Sequence, residues 1–209
     1  MSGPRRRVVV TGLGVISPIG IGKENFLAGL RAGRSGIAPI TRFDASGYES
    51  RVAGEVNDFD AVEHLGLRRV NQMGRAAQFA VAAAGMALDD GGLNLDAVDK
   101  ERAGSVIGTA VGDLGWAIEE ALTQDHNGHV ASNPRTMFMA YPNSVSGQVS
   151  IRYGLNGATD TISSGCASGG TAFGLASNLI QRDEADVLLV GGTEAPLHPT
   201  IFRNLCAAG

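Results

Sequence analysis

A cysteine between an apolar strand and a helix is the residue of this sequence best placed to do chemistry. Cys166 lies in DTISSGCASGGTAFG, residues 160–174, where small residues surround it. A side chain at such a junction is exposed at the carboxyl edge of a sheet, and the helix N–H groups point toward it. They can stabilise a thiolate, or the oxyanion formed when a thiol attacks a carbonyl. A buried structural cysteine is the alternative, and the spacing alone does not separate the two.

A helix terminus alone does not make a thiol a strong nucleophile. It stabilises a nearby charge by roughly 0.3 to 1 kcal/mol, too little to ionise most of a free thiol at neutral pH. A basic partner is therefore expected, most naturally a histidine. His64 and His198 stand alone in the sequence. His126 and His129 flank a glycine in a polar stretch without a third ligand nearby, so exposed histidines are predicted there and no metal site.

Composition excludes several classes of protein. The formal net charge is −4, whereas nucleic-acid binders are usually basic. No apolar run is long enough for a signal peptide or a membrane span, and two cysteines do not make a disulfide framework. The pair Gly12 and Gly14 follows a strand-like run, but Ser17 stands where a dinucleotide-binding fingerprint needs glycine or alanine. We expect a cytoplasmic protein that uses no cofactor and binds neither nucleic acid nor membrane.

Alternating strand and helix patterns predict an α/β fold. The strands are predicted at residues 7–12, 103–111, 158–163 and 185–190, and the helices at residues 22–33, 67–88, 114–123, 136–153 and 166–181. Residues 34–66 are expected to be irregular and residues 124–134 to form a polar loop. The strands are apolar on both faces, which favours a mixed, mostly parallel sheet covered by helices on both sides. No linker divides the chain.

Several segments together resemble the β-ketoacyl-acyl-carrier-protein synthases, the condensing enzymes of the thiolase-like fold. The segments are RRVVVTGLGVISPIG, LRRVNQMGRAAQFAVAAAGMALDDGGL, VIGTAVGDL, NSVSGQVSIRYGLNGA and DTISSGCASGGTAFGLASNLIQRDEADVLLVGGTEA. The resemblance covers the whole chain and is slightly closer to polyketide-type synthases. It implies that residues 1–209 form the N-terminal part of a synthase domain, a βαβαβαββ half of the duplicated fold.

The resemblance assigns roles to individual residues. Cys166 matches the nucleophile that accepts an acyl chain from acyl carrier protein, before decarboxylative condensation with malonyl-carrier protein in fatty acid or polyketide synthesis. The backbone N–H of Cys166 matches half of the oxyanion hole. Glu194 matches a structural position. Met137 and Phe138 match a segment that reaches an acyl tunnel across a dimer interface, although helix packing explains them equally well.

The resemblance also implies partners. Arg68 and Arg69 match the start of a helix where related synthases present basic residues to acidic carrier protein, and a solvated helix start is the alternative. The family acts as dimers of identical or different subunits. Two catalytic histidines belong to its second half, which residues 1–209 do not include. The chain is therefore expected to expose an apolar face, and to accept an acyl group without completing condensation.

Two other functions remain open. A thiolase would use the same fold and cysteine with coenzyme A, but the Arg68–Arg69 helix and the GGTEA segment favour the carrier-protein enzymes. A non-catalytic chain-length subunit of a ketosynthase heterodimer would shape the tunnel without chemistry. Such subunits typically lack the nucleophile, so Cys166 argues against this role.

Overall fold

The computed structural model describes residues 6–127 and 134–208. The strands are β1 Ile16–Ser17, β2 Gly20–Ile21, β3 Ile37–Pro39, β4 Val52–Gly54, β5 Ala103–Gly108, β6 Thr159–Ile162 and β7 Val187–Gly192. The helices are α1 Lys23–Arg31, α2 Ala61–Leu65, α3 Leu67–Val70, α4 Arg75–Gly91, α5 Leu114–Asn127, α6 Thr136–Ala140, α7 Ser144–Tyr153, α8 Ser168–Gln181 and α9 Pro199–Ala207. Short 3₁₀ turns occupy Leu95–Ala97 and Lys100–Arg102.

A parallel sheet with the order β6–β5–β7 forms the centre of the molecule. Ser105 of β5 lies opposite Thr159 of β6 and Leu189 of β7. All six residues of β5 are buried, because strands flank it and helices cover both of its faces. This arrangement confirms the predicted α/β architecture with parallel pairing.

The two faces of the sheet pack against different helices. On one face, Ile107 belongs to a core with the alanine-rich helix α4 and with Val145 and Val149 of α7. On the other face, Val106 packs against Ala172 and Ala176 of α8. Alternate residues of a strand point to opposite faces, so β5 contributes to both cores.

The apolar run Arg7–Gly12 was predicted to be a buried strand, and that prediction is wrong. Val9 and Val10 are 61% and 70% exposed, and residues 6–15 form no strand. The segment runs along α4 instead, where a Cβ atom at Gly12 or Gly14 would overlap carbonyl oxygens of that helix. Its apolar pattern fits a strand, but the described residues supply no neighbouring strand to complete the hydrogen bonds.

The single helix predicted over residues 67–88 is two helices. The short helix α3 ends at Val70, and α4 begins at Arg75 after Gly74. The apolar periodicity continues across the break and conceals it. A second long helix, predicted over residues 136–153, is also divided, because Pro142 lies between α6 and α7.

Other boundaries differ in smaller ways. The segment 34–66, expected to be irregular, contains the antiparallel hairpin β3–β4 and the helix α2. Helix α5 continues through Asn127, so part of the predicted loop 124–134 is helical, and residues 128–133 lie outside the described part. Helix α8 begins at Ser168 rather than at Cys166. No helix within the described stretches is long and apolar enough to cross a membrane.

Candidate active site at the carboxyl edge of the sheet

Cys166 is exposed on the turn between β6 and α8, so it is not a buried structural cysteine. Gly165 has a φ of +63°, which a residue with a side chain rarely adopts, and this conformation reverses the chain just before the cysteine. No side chain caps the first turn of α8, which Ala167 precedes. The thiol is therefore accessible beside a helix start whose N–H groups are free of a side-chain cap.

A buried hydroxyl group fixes the shape of this turn. Ser168 is 3% exposed, and its Oγ atom accepts a hydrogen bond from the Ser164 N–H at 2.9 Å. The same oxygen lies 2.6 Å from Gly165 O and 3.2 Å from Thr109 O, so the hydroxyl can donate to either carbonyl. These contacts tie both sides of Cys166 to each other and to the end of β5.

Glycines allow the start of α8 to lie directly on the sheet. A Cβ atom at Gly108 would overlap the backbone of Ser168. A Cβ atom at Gly192 would lie 3.1 Å from the Cα atom of Gly169. The ends of β5 and β7 therefore contact the first turn of the helix without intervening side chains, and this close packing holds the Cys166 turn in place.

Glu194 joins the loops that follow β5 and β7. Its Oε2 atom accepts a hydrogen bond from the Ala110 N–H at 2.6 Å, and its Oε1 atom accepts one from the Thr109 hydroxyl at 3.2 Å. The side chain of Ser163 donates to Ala110 O at 3.1 Å. This arrangement supports a structural role for Glu194, because the carboxylate contacts the loop rather than the thiol.

A buried carboxylate lies behind this loop at the start of α4. Asp113 is 4% exposed, and its oxygens accept hydrogen bonds from the N–H groups of Ala76 at 2.8 Å and Ala77 at 3.3 Å. Burial raises the pKa of Asp113, the two N–H groups oppose that change, and the charge of Glu194 adds to it. Gly74 is required beside it, because a Cβ atom there would overlap the carboxylate.

The histidine side chains that the structure describes contact residues other than Cys166. His198 is 8% exposed; its Nε2 atom lies 2.7 Å from Glu119 Oε1, and its Nδ1 atom accepts a hydrogen bond from the Thr200 N–H. It therefore caps α9, although its sequence position carried no signal. His64 stacks on the ring of Phe59. His129 and the side chain of His126 lie outside the described residues.

The remaining predicted site residues lie on other surfaces. Phe138 in α6 is 76% exposed, and the side chain of Met137 is outside the described part. Arg68 and Arg69 lie in the last turn of α3, not at the start of the long helix. Positive charge is favourable at a helix C-terminus, so the position of the two arginines does not by itself indicate a binding role.

Sequence reasoning missed Thr109, Asp113 and Ser168, which build the surroundings of the turn. Each is a common polar residue whose partner is distant in the sequence or is a backbone group, so no local pattern marks it. Their burial is the signal, and only the fold reveals it. Within the described part of the chain, no group of three or more histidine, cysteine, aspartate and glutamate side chains could hold a metal ion.

Curated proteins are similar in sequence to this chain over nearly its whole length. It is 37% identical over 204 residues to 3-oxoacyl-[acyl-carrier-protein] synthase 2 of Synechocystis sp., covering 98% of this chain and 49% of that protein. It is 39% identical over 201 residues to the tetracenomycin polyketide synthase ketoacyl synthase alpha subunit of Streptomyces glaucescens, covering 93% and 47%. The chain thus spans about half the length of these curated relatives.

Solved structures of ketosynthases also match this chain, and they show that it has the thiolase-like fold. The ishigamide ketosynthase/chain length factor matches with a TM-score of 0.90 and 36% identity, over 99% of this chain and 51% of that chain. A type II polyketide ketosynthase in complex with its acyl-carrier protein, AntDE:AntF, matches with a TM-score of 0.82 and 25% identity, over 96% and 54%. Residues 5–209 match the model of the β-ketoacyl synthase N-terminal domain, and the chain therefore belongs to the β-ketoacyl synthase family.

Proposed function

We propose that this chain forms the N-terminal, nucleophile-bearing part of a β-ketoacyl-acyl-carrier-protein synthase. Cys166 accepts an acyl chain from acyl carrier protein for fatty acid or polyketide assembly. The observation that carries the proposal is the exposed thiol at the start of α8, held by Ser168 and by glycine contacts with the sheet. Family membership supplies the reaction class, and the turn supplies the group that would perform its first step.

The first step is a thioester exchange. The sulfur of Cys166 attacks the acyl carbonyl carbon, its proton leaves to a base or to solvent, and a tetrahedral oxyanion forms. The bond to the carrier thiol then breaks, and that thiol leaves after taking up a proton. We propose that the backbone N–H of Cys166 and the start of α8 stabilise the oxyanion, which is the main electrostatic demand of acyl transfer.

The second step needs groups that the described residues do not bring to the thiol. In the family, two histidines of the second half assist decarboxylation of the malonyl unit and stabilise the enolate. His64 and His198 make the unrelated contacts given above. We infer that condensation requires the polypeptide that forms the remaining half of the synthase fold.

Acylation of the isolated chain tests the nucleophile. The protein is incubated with an octanoyl-carrier-protein thioester, and the intact mass is measured after denaturation. The octanoyl mass is expected on the wild type and on Cys206→Ser, but not on Cys166→Ala. Cys206 is the matched control, because it is the second cysteine and is half-buried in α9. Transfer to Cys206, or no transfer to a folded wild type, would refute the proposal.

A basic surface on α3 is the proposed contact for the carrier protein. Arg68 is exposed and Arg69 half-buried there, in a chain whose net charge is negative. Local positive charge can attract an acidic partner despite that net charge. Arg68→Glu with Arg69→Glu should weaken carrier-protein binding more at low salt than at high salt. Arg31→Glu with Arg34→Glu is the control, and an equal loss in both pairs would contradict the assignment.

A second ketosynthase-like subunit is the other proposed partner, as a homodimer or a heterodimer. Exposed apolar side chains at Phe138, Ile151 and Phe173 leave surface for such contacts, and Met137 and Phe138 are proposed to reach the acyl tunnel.

We place the enzyme in the cytoplasm. The proposed domain assignment treats residues 1–209 as one N-terminal part.

A chain-length subunit is the second candidate, because the ishigamide structure pairs a ketosynthase with a chain length factor. Alkylation of Cys166 distinguishes a catalytic subunit from a chain-length subunit. It should abolish synthase activity if this chain is the catalytic subunit, and leave the activity of the assembled synthase unchanged if it is a chain-length subunit. A thiolase would instead load the acyl group from coenzyme A, so exchanging the acyl donor in the mass experiment tests that reading.

A further inference from the structure

A cavity separate from the Cys166 turn opens on the other side of the loop after β7. Its volume is about 340 Å³, and it lies between residues 14–18, residues 54–56 and residues 192–197. Arg42 and Arg75 line it, together with Glu55 and Glu194. Four charged residues therefore surround one cavity.

Arg75 is a partly buried cation whose hydrogen bonds are incomplete. Its Nη2 atom donates to Val56 O at 3.1 Å, whereas its Nε atom is buried without a hydrogen-bond partner. The guanidinium carbon lies 5.0 Å from the ring centre of Phe59 and 4.6 Å from that of Phe79. Burial and, secondly, the charge of Arg42 lower the pKa of Arg75.

The carboxylates of the cavity do not neutralise this charge. Glu55 accepts hydrogen bonds from the N–H and the hydroxyl of Thr41 and from the Arg42 N–H, and Glu194 is bound to the loop after β5. Among the described residues, no carboxylate oxygen lies within 4.0 Å of a nitrogen of the Arg42 or Arg75 side chain. Two arginines thus line the cavity, and neither forms an ion pair with a described residue.

A partly buried charge without an ionic partner is unfavourable, and a second cation nearby adds to the cost. An anion between the two guanidinium groups would offset both effects. A carboxylate group carries one negative charge and matches the guanidinium edge, whereas a phosphate group would concentrate two charges close to Glu55 and Glu194. We propose that the cavity binds a carboxylate group through Arg42 and Arg75.

Side-chain NMR of the ¹⁵N-labelled protein tests this proposal directly. The Nε–H resonance of Arg75, assigned by its loss in Arg75→Lys, is followed during titration with sodium succinate. Sodium chloride at matched ionic strength is the reference titration. We expect a saturable shift with succinate alone, and a dissociation constant at least fivefold higher in Arg42→Gln. Arg182→Gln, an exposed arginine at the end of α8, should bind as the wild type does.

The proposal is wrong if succinate causes no saturable shift, if chloride causes the same shift, or if Arg42→Gln binds succinate as tightly as Arg182→Gln. Should Arg75→Lys fail to fold, the dissociation constants of Arg42→Gln and Arg182→Gln for succinate still test the proposal, because both substituted positions are exposed. None of these measurements depends on acylation of Cys166, so the proposed function and this site can fail independently.

Two sources share the carboxylate chemistry: a small molecule, or an aspartate or glutamate side chain from the rest of the synthase. The second source rests on the proposed function. Repeating the titration on the assembled synthase separates them. Continued succinate binding would identify a small-molecule site. An Nε–H resonance already at the bound position, with no response to succinate, would identify a protein carboxylate.

Discussion

The starts of helices α4 and α8 have similar surroundings but different occupants. Both lie at the carboxyl edge of the sheet beside glycines, and neither is capped by its own N-cap residue. Asp113 occupies the start of α4 with a buried carboxylate that accepts two N–H hydrogen bonds. The start of α8 carries no side-chain cap and is preceded by the exposed Cys166.

This difference separates structural from chemical use of the same local geometry. A helix start enclosed by protein needs a resident acceptor, because unpaired buried N–H groups are costly. A helix start at an open edge can leave its N–H groups to water until a reacting group arrives. We therefore expect substitutions at α4 to change stability, and substitutions at α8 to change reactivity.

The largest expected effect is at the occupied helix start. Asp113→Ala removes the acceptor of two N–H groups in a buried site and should lower the free energy of unfolding by about 2–4 kcal/mol. Urea unfolding measures the change. Asp60→Ala is the matched control, because Asp60 caps α2 at an exposed site and should cost about 1 kcal/mol. Equal losses at the two positions would show that burial does not matter at α4.

The next effect tests the close packing under α8. Gly108→Ala would push the start of the helix from the sheet, and should cost about 1–3 kcal/mol while slowing acylation of Cys166. Gly174→Ala lies in the middle of the same helix, where the new Cβ atom would meet no neighbouring group within 4 Å beyond the helix's own backbone, and should stabilise the protein by roughly 0.5–1 kcal/mol. Urea unfolding and the mass experiment measure both. A Gly108→Ala protein with unchanged stability and acylation would show that the contact is dispensable.

The sequence made the Cys166 turn predictable because its signals are local. A β-rich run, a glycine and a helix pattern follow one another within residues 158–181, and the structure places β6, the turn and α8 there. The central strands β5 and β7 were predictable for the same reason. The resemblance then supplied the family, which no periodicity could have supplied.

The start of α4 was not predictable, because its cause is distant in the sequence. The apolar periodicity runs through residues 67–88, but Gly74 and the carboxylate of Asp113, from the loop after β5, divide it. In the sequence, Ser168 is one of several small residues around Cys166, and only the structure shows that its buried hydroxyl organises the turn. The strand prediction for residues 7–12 was wrong for a different reason: the pattern fits a strand, but the described residues supply no neighbouring strand.

A smaller effect concerns the pH dependence of the occupied site. Because the pKa of Asp113 is raised above its ordinary value of 3.8 in the folded protein, its stabilising contribution is fully present below that value. Only this proton-linked part of the contribution is lost as the pH rises through the folded pKa, whereas the hydrogen bonds from the Ala76 and Ala77 N–H groups remain. The free energy of unfolding of the wild type minus that of Asp113→Asn should therefore be largest in acid, fall above pH 3.8 and then level. A difference that grows with pH would mean that the two N–H groups outweigh burial.

The smallest expected effect on stability is at the open helix start. Cys166 is exposed and caps nothing, so Cys166→Ala should change the free energy of unfolding by less than about 0.5 kcal/mol, although it abolishes acylation. Urea unfolding of this variant beside Asp113→Ala compares the two helix starts directly. A loss above about 1 kcal/mol would mean that α8 depends on its thiol as α4 depends on its carboxylate. In that case the thiol would be part of the fold, and the division between a structural and a chemical helix start would not hold.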